Sequence, residues 1–276
     1  MKVAIQGEKA SYHHLAAQVF FGADVHIVPQ KTFSGVFTAV DNDKTIAGVV
    51  AIENSLYGSI NPVYDLLLKH TSEITGEIYL RVEHCLVGLP GTALRDIKEV
   101  YSHPVALAQC EEFLNIKLPH ARRYEEHDTA ASVQLVKQAN LKTKAAIASR
   151  QAAKLHGLAV LKTNIETNQA NYTRFVVIGT HGKTIKPNKT SLVLMTHADT
   201  KPGALYKALG AFAQHDINLT MLQSRPIIGR AWHYMFYVDA LGDVHSAPFR
   251  AALNDLHNLG YNVKILGSYQ SGEPSI

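Results

Sequence analysis

The apolar positions in the first two thirds of this chain fall into short runs separated by stretches with helical spacing. Val3 to Gln6 is followed by Ser11 to Phe21, Val25 to Val28 by Thr32 to Asp41, and then comes Ile46 to Ile52. Short apolar runs between polar residues predict buried strands, and apolar residues at i, i+3 and i+4 over ten or more positions predict amphipathic helices. The alternation continues through Ile78 to Leu89, Glu99 to Ser102, Pro104 to Leu114, Thr129 to Gln138, Ala145 to Ala148, Gln151 to His156 and Leu158 to Leu161. Strand and helix in turn predict an α/β architecture.

Residues 181–190, HGKTIKPNKT, break this pattern with Gly182, Pro187, Asn188 and three lysines, and are expected to be a linker. Beyond it the order changes: strand (Ser191 to His197), helix (Gly203 to His215), strand (Ile217 to Gln223), strand (Trp232 to Ala240), helix (Ser246 to Leu259), strand (Tyr261 to Leu266). This is a βαββαβ unit of the ferredoxin-like kind.

Polar residues follow the predicted strands of the first part. Ser11 and Tyr12 come after the first, Glu53, Asn54 and Ser55 after Ile52, Ser102 and His103 after Tyr101, and Ser149 after Ala148. Ligands of open α/β sheets bind beyond the carboxyl ends of strands, where helix starts offer free N–H groups to anions. Helix capping accounts for any one of these serines equally well. His103 either faces such a crevice or caps the helix that Pro104 begins.

The segment NYTRF (171–175) opens another apolar run, Phe175 to Gly179, and brings Asn171, Thr173 and Arg174 to its mouth. The guanidinium of Arg174 can grip a carboxylate with two parallel hydrogen bonds, or can pair with Glu53 or another acid. Phe175 either packs in the run or stacks on a ring. No GxSxG, HxxxC or paired-acid signature of a nucleophilic enzyme is present.

Composition narrows the possibilities. The 276 residues are 46% hydrophobic and 18% charged, as expected of a globular chain of about two domains. The formal net charge of +4 is spread without a basic run, so a small anion suits it better than nucleic acid. Two cysteines without metal-ligand spacing, no signal peptide and no apolar run of membrane length point to the cytosol, with reduced, packed thiols. His13, His14 and the other histidines form no ligand motif, so no metal is expected and no cofactor is required.

Taken together and in order, QGEKASYHHLAA (6–17), AIENSLYGSI (51–60), YSHPVALAQCEEFL (101–114), AAIASRQAAKLHGLAVL (145–161), NYTRFVVIG (171–179) and KPGALYKALGAFAQHDINLTMLQSRP (201–226) resemble the prephenate dehydratase family. The resemblance implies a two-lobed catalytic region like a periplasmic-binding-protein fold over residues 1–180, with lobe one at 1–76 and 161–180 and lobe two at 77–160. A C-terminal ACT domain at 191–270 would bind phenylalanine and inhibit. It also implies prephenate as substrate and a homodimer or homotetramer. With no long helical segment before Met1 or after Ile276, a fused chorismate mutase region is not expected.

By the same resemblance Thr173 hydrogen-bonds the departing hydroxyl, Arg174 binds a carboxylate or anchors the site, and Asn54 and Ser55 assist. Ser11, Glu53, Ser102, His103, Ser149, Asn171 and Phe175 would surround the substrate. Gly203, Ala204, Leu205, Asn218, Leu219, Thr220, Gln223, Ser224 and Arg225 would form the effector site. The chain departs from the family at Gln223, where glutamate is usual, at Ala51, where proline is usual, and across Glu8 to Ser11. The same fold could serve a non-catalytic sensor of small anions or amino acids, which would have no need of the hydroxyl set carried by NYTRF together with the ENS and SHP segments.

Overall fold

The computed structural model describes residues 1–180, 186–196, 202–227, 229–230 and 232–273. The chain opens with β1 (Lys2–Gln6), α1 (Tyr12–Phe21), β2 (His26–Gln30), α2 (Phe33–Asn42), β3 (Ile46–Asn54), β4 (Gly58–Ser59), α3 (Asn61–Lys69) and β5 (Ile74–Arg81). β1 pairs in parallel with both β2 and β3, and β3 is buried from Ile46 to Ile52. Covered on both faces, such strands read as continuous apolar runs rather than as an alternation. α1 and α2 start where Ser11 and Thr32 accept hydrogen bonds from first-turn amides, the capping reading of these residues.

A second sheet follows: β6 (Cys85–Gly88), β7 (Glu99–Ser102), α4 (Pro104–Gln109), α5 (Glu111–Lys117), β8 (Arg122–Glu125), α6 (Thr129–Ala139), β9 (Lys144–Ala148), α7 (Arg150–His156) and β10 (Ala159–Lys162), with strand order β10-β6-β9-β7-β8. The chain then returns through β11 (Tyr172–Ile178), which inserts antiparallel between β3 and β5. The first sheet thus has the order β2-β1-β3-β11-β5.

Two expected boundaries are corrected. The run Ile78 to Leu89 is not one element, because β5 ends in the first sheet at Arg81 and β6 begins in the second at Cys85. The lobes therefore exchange chain at 82–84 and 163–171, not at 76/77 and 160/161. Arg81, Glu83 and His84 interrupt the apolar run there, but Val82 lies among them and no turn residue marks the crossing, too weak a break to read from pattern alone. The two crossings lie side by side, with Val82 N donating to Asn171 O (2.8 Å) and Ile165 N to His84 O (3.1 Å). The helical stretch from Pro104 likewise divides at Cys110, whose φ of −106° and ψ of 15° leave the helical region.

The C-terminal part runs β12 (Lys189–Thr196), α8 (Ala204–Ala213), β13 (Leu219–Pro226), β14 (Tyr234–Leu241), α9 (Ala247–Asn258) and β15 (Tyr261–Tyr269), an antiparallel sheet of order β13-β14-β12-β15. Its two faces do different work. Leu192 and Leu194 of β12 pack with Phe212 and Phe249 of the helices, whereas Val193, Met235, Tyr237 and Tyr269 join Val63, Tyr64, Leu67 and Ile74 in a core shared with the first lobe. Alternation of side chains along each strand assigns them to these faces. The sheet comes so close that a Cβ at Gly267 would collide with the carbonyl of Ile74. Of the expected linker, 181–185 lie outside the described residues, while Lys189 and Thr190 are the first residues of β12. Lys189, expected in the linker, is instead buried in ion pairs.

Candidate active site

A cleft of about 380 Å³ separates the two α/β lobes, within the range of small-molecule sites. Gln6, Ser11, Tyr12, His13, Asn54, Thr173 and Phe175 line it from the first lobe, His103, Gln109, His127, Asp128 and Thr129 from the second, and His84 from the crossing. None of its described lining residues is a lysine or an arginine.

Thr173 and Asn54 are brought together by the strand register, in which they are partners between β11 and β3. Asn54 Nδ2 donates to Thr173 Oγ1 (3.0 Å) and to Asn171 Oδ1 (2.8 Å), while Asn54 Oδ1 accepts from Leu56 N (3.0 Å) and Tyr57 N (3.1 Å). The two backbone donors to Oδ1 fix the amide's orientation, so its NH₂ faces Thr173.

Arg174 does not face the cleft, and of its two expected roles the pairing with an acid, not the grip on a substrate carboxylate, is the one its surroundings match. Successive side chains of a strand point to opposite faces. With Thr173 on the cleft side, Arg174 turns toward the C-terminal sheet, where its side chain is 4% exposed. It meets Asp239 at 2.5 Å and donates to Glu77 (2.7 Å), with Glu53 further off at 3.9 Å. Burial opposes the guanidinium charge, but Asp239, Tyr269 and Glu77 outweigh it and raise the pKa well above the ordinary arginine value.

Five other expected residues are also structural. Ser102 is buried and donates to Ile147 O (2.7 Å). Ser55 accepts from Tyr172 N (2.9 Å) and donates to Ala170 O (2.9 Å), pinning the β3–β4 turn to the returning chain. Asn171 is fully buried behind Asn54. Glu53 pairs in register with Arg174, one residue out of phase with the cleft. Ser149 caps α7 and donates across the lobes to Ala10 O (3.0 Å). Nearby, Asp128 approaches Glu8 N at 3.4 Å, and Gly7, at φ +90°, leaves it room, since a Cβ there would meet that carboxylate. Ser11, His103 and Phe175 do line the cleft, and the two polar ones also cap helices.

Sequence reasoning set the histidines aside for want of a metal motif, and so missed His13, His84 and His127. His13 Nε2 accepts from Ala51 N (3.2 Å), its ring packs edge-on against Phe175, and burial lowers its pKa to about 4. His84 lies between Tyr12 Oη (3.1 Å) and Gln109 Oε1 (2.7 Å), and burial lowers its pKa against the opposing effect of Gln109. Burial lowers that of His103 as well. Burial thus favours the neutral imidazole of His13, His84 and His103. The available signal was position: His13 falls in the first turn after a strand end, and His103 precedes Pro104.

In the C-terminal sheet Gly203 caps α8 at φ +80°, with Ala204 and Leu205 in the first turn. Asn218 accepts from Leu241 N (2.8 Å), and Leu219 and Thr220 open β13. Gln223 and Arg225 do not turn to a pocket beside α8. Gln223 Oε1 accepts from Ser59 Oγ (2.9 Å), and Arg225 pairs with Asp65 (2.7 Å), both in the first lobe. Ser224 between them is exposed.

Two α/β lobes around a cleft whose described lining holds polar side chains but no lysine or arginine, with a βαββαβ sheet docked on one lobe, define a two-lobed α/β catalytic region joined to an ACT-type module. Residues 3–183 match the model of the prephenate dehydratase family, and residues 192–258 match that of the ACT domain. The chain belongs to the prephenate dehydratase family. It is 38% identical to a bifunctional chorismate mutase/prephenate dehydratase of Escherichia coli K12, over 98% of this chain and 71% of that protein. It is also 38% identical to arogenate dehydratase 2 of Petunia hybrida, over 98% and 72%. Among solved structures, a prephenate dehydratase of Arthrobacter aurescens in complex with L-Phe aligns with a TM-score of 0.87 at 29% identity, covering 98% of this chain and 90% of that one. A protein described as GqqA, a novel type of quorum quenching acylase, aligns equally well at 33% identity, covering 98% of both chains.

Proposed function

We propose that the chain converts prephenate to phenylpyruvate, carbon dioxide and water, with Thr173 presenting the hydroxyl that assists departure of the ring OH. The observation that carries this reading is the Asn54–Thr173 pair on the cleft wall. A hydroxyl has one proton and two lone pairs. Because the Asn54 amide is the donor between them, the proton of Thr173 is free for an acceptor in the cleft.

In the reaction the bond from the ring to its carboxylate breaks and its electron pair enters the ring. The ring hydroxyl leaves with its own bonding pair and takes up one proton to become water. Aromatisation supplies the driving force, so the protein has to align the carboxylate and stabilise the departing oxygen. Threonine is a weak acid, and its share is orientation with partial proton donation.

Neutral donors would meet the two carboxylates. The start of α1 is suited to this, since its cap is the uncharged Ser11 and the positive end of the helix dipole stays uncompensated. The start of α6 is already met by the carboxylate of Asp128. In this reading the two lobes form the catalytic unit. The C-terminal sheet is the regulatory one, binding phenylalanine, a role supported by the complex of the Arthrobacter relative with L-Phe; a homodimer or homotetramer is the proposed assembly. The buried free thiols of Cys85 and Cys110 suit a reducing cytosol.

The resemblance to a described acylase raises acyl transfer as a competitor. That chemistry needs a hydroxyl or thiol activated by an adjacent base. Thr173 instead faces an amide donor, which favours the dehydratase. A sensor is likewise less favoured, because binding alone gives no reason to orient this hydroxyl. Incubation with prephenate and, separately, arogenate at neutral pH tests the reading: prephenate should be the faster substrate and yield phenylpyruvate. Consumption of neither would refute it.

A further inference from the structure

β11 carries the cleft hydroxyl on one face and a buried cation on the other, and that cation is held largely by the C-terminal sheet. Arg174 Nη1 lies 2.5 Å from Asp239 Oδ2 of β14, and Nη2 donates to Tyr269 Oη of β15 (3.1 Å). Nε donates to Glu77 Oε2 of β5 (2.7 Å), which also accepts from Lys189 Nζ of β12 (3.0 Å). Ser191 Oγ donates to Asp239 Oδ1 (2.5 Å) and pairs with Tyr269 Oη (2.7 Å). The four charged side chains are each 4% exposed or less. Removing one partner from such a set leaves a buried charge that the others must move to satisfy.

The cation also sits at a singular point of the strand. The register of β11 against β3 shifts between Arg174 and Phe175, so that β3 has one extra residue, Ile52, opposite that step. A bulge interrupts the ladder and re-aims the neighbouring side chains. Against β5 the register is unbroken from Tyr172 to Val177, so the bulge interrupts the ladder of β11 on its β3 side alone, the side on which Asn54 meets Thr173.

We propose that Arg174 is a positioning residue for Thr173, and that Asp239 and Tyr269, by holding its guanidinium, make the C-terminal sheet part of the catalytic wall. This rests on the dehydratase reading of the same site and adds that the regulatory sheet acts on turnover even with no effector bound. A shift of β14 or β15 reaches the cleft through one side chain and one peptide unit.

The near-isosteric variants Asp239→Asn and Tyr269→Phe of the full chain test this. Steady-state kinetics with prephenate and amide hydrogen exchange over residues 172–177 are measured together. The expected result is a kcat lower by at least about tenfold for Asp239→Asn and about threefold for Tyr269→Phe, as for a slightly misplaced group, with KM changed less than about threefold. Exchange over β11 should speed up in both, with β6 and β9 of the second lobe unaffected. Wild-type kcat and unchanged β11 exchange in folded variants would overturn the proposal and leave the cluster a purely structural one. If Asp239→Asn fails to fold, Tyr269→Phe decides by the same two readouts. A wild-type chain inert toward prephenate would refute the dehydratase reading, and the exchange data would still decide the clamp.

Discussion

The amide nitrogen of Asn54 lies 3.0 Å from the hydroxyl oxygen of Thr173, and the amide's orientation is dictated by two backbone donors to its oxygen. The direction of this hydrogen bond decides where the threonine proton can go. Asn54→Asp would keep the size and both backbone contacts but turn the donor into an acceptor. Thr173 would then give its proton to the carboxylate. We expect kcat to fall at least about tenfold, or roughly 1.4 kcal/mol of barrier, and the melting temperature to fall as well, because the buried Asn171 Oδ1 loses its donor. Initial rates with prephenate alongside thermal melts check this, and an unaltered kcat would show that the direction of the bond is immaterial.

Replacing Arg174 tests burial rather than chemistry. Arg174→Met leaves Glu77 and Asp239 short of a buried cation, with Lys189 as the one they would share. Breaking a buried ion pair by removing one partner costs about 3–5 kcal/mol. Denaturant unfolding should show a loss of that order; a loss below about 1 kcal/mol would mean that the site relaxes or admits water.

His13 gives the chain an acid-sensitive element. Its pKa is depressed from 6.5 to about 4 in the folded state, so between these values the unfolded chain binds the extra proton. Its contribution to stability is therefore complete above the unfolded value and is lost as pH falls from about 6.5 toward 4. His13→Gln should flatten the stability profile in that window. Unfolding free energies at a series of pH values measure it, and parallel profiles for wild type and variant would contradict the assignment.

Gln223 stands where the family usually carries glutamate, and here it accepts from Ser59 on the strand paired beside Asn54. A carboxylate accepts more strongly than an amide. In Gln223→Glu we expect the phenylalanine concentration for half inhibition to fall by at least about threefold, read from inhibition curves at fixed prephenate. An unmoved midpoint would separate this contact from regulation.

The alternation of elements was legible because buried parallel strands and capped helices both leave local marks, Val3 to Gln6 and Ser11 among them. The switch to βαββαβ was legible for the same reason. The direction of Arg174 was not, although period-2 alternation alone forbids adjacent Thr173 and Arg174 from sharing a wall. What hid it was the partner: Asp239 and Tyr269 are 65 and 95 residues away, and only the docking of the third sheet brings them there. The lobe crossing at Val82 to His84 was obscured in one apolar run. Of the cleft histidines, His13, His84 and His127 went unread because they act singly, by position, and not in any spaced motif.

Thr173→Val removes the hydroxyl and keeps the shape, so the most direct test is the rate of phenylpyruvate formation from saturating prephenate by wild type and this variant at neutral pH. We predict rapid turnover by the wild-type chain and a rate at least about tenfold lower in the variant, with its melting temperature unchanged. Equal rates would remove the threonine hydroxyl from the reaction and with it the role assigned to the cleft wall.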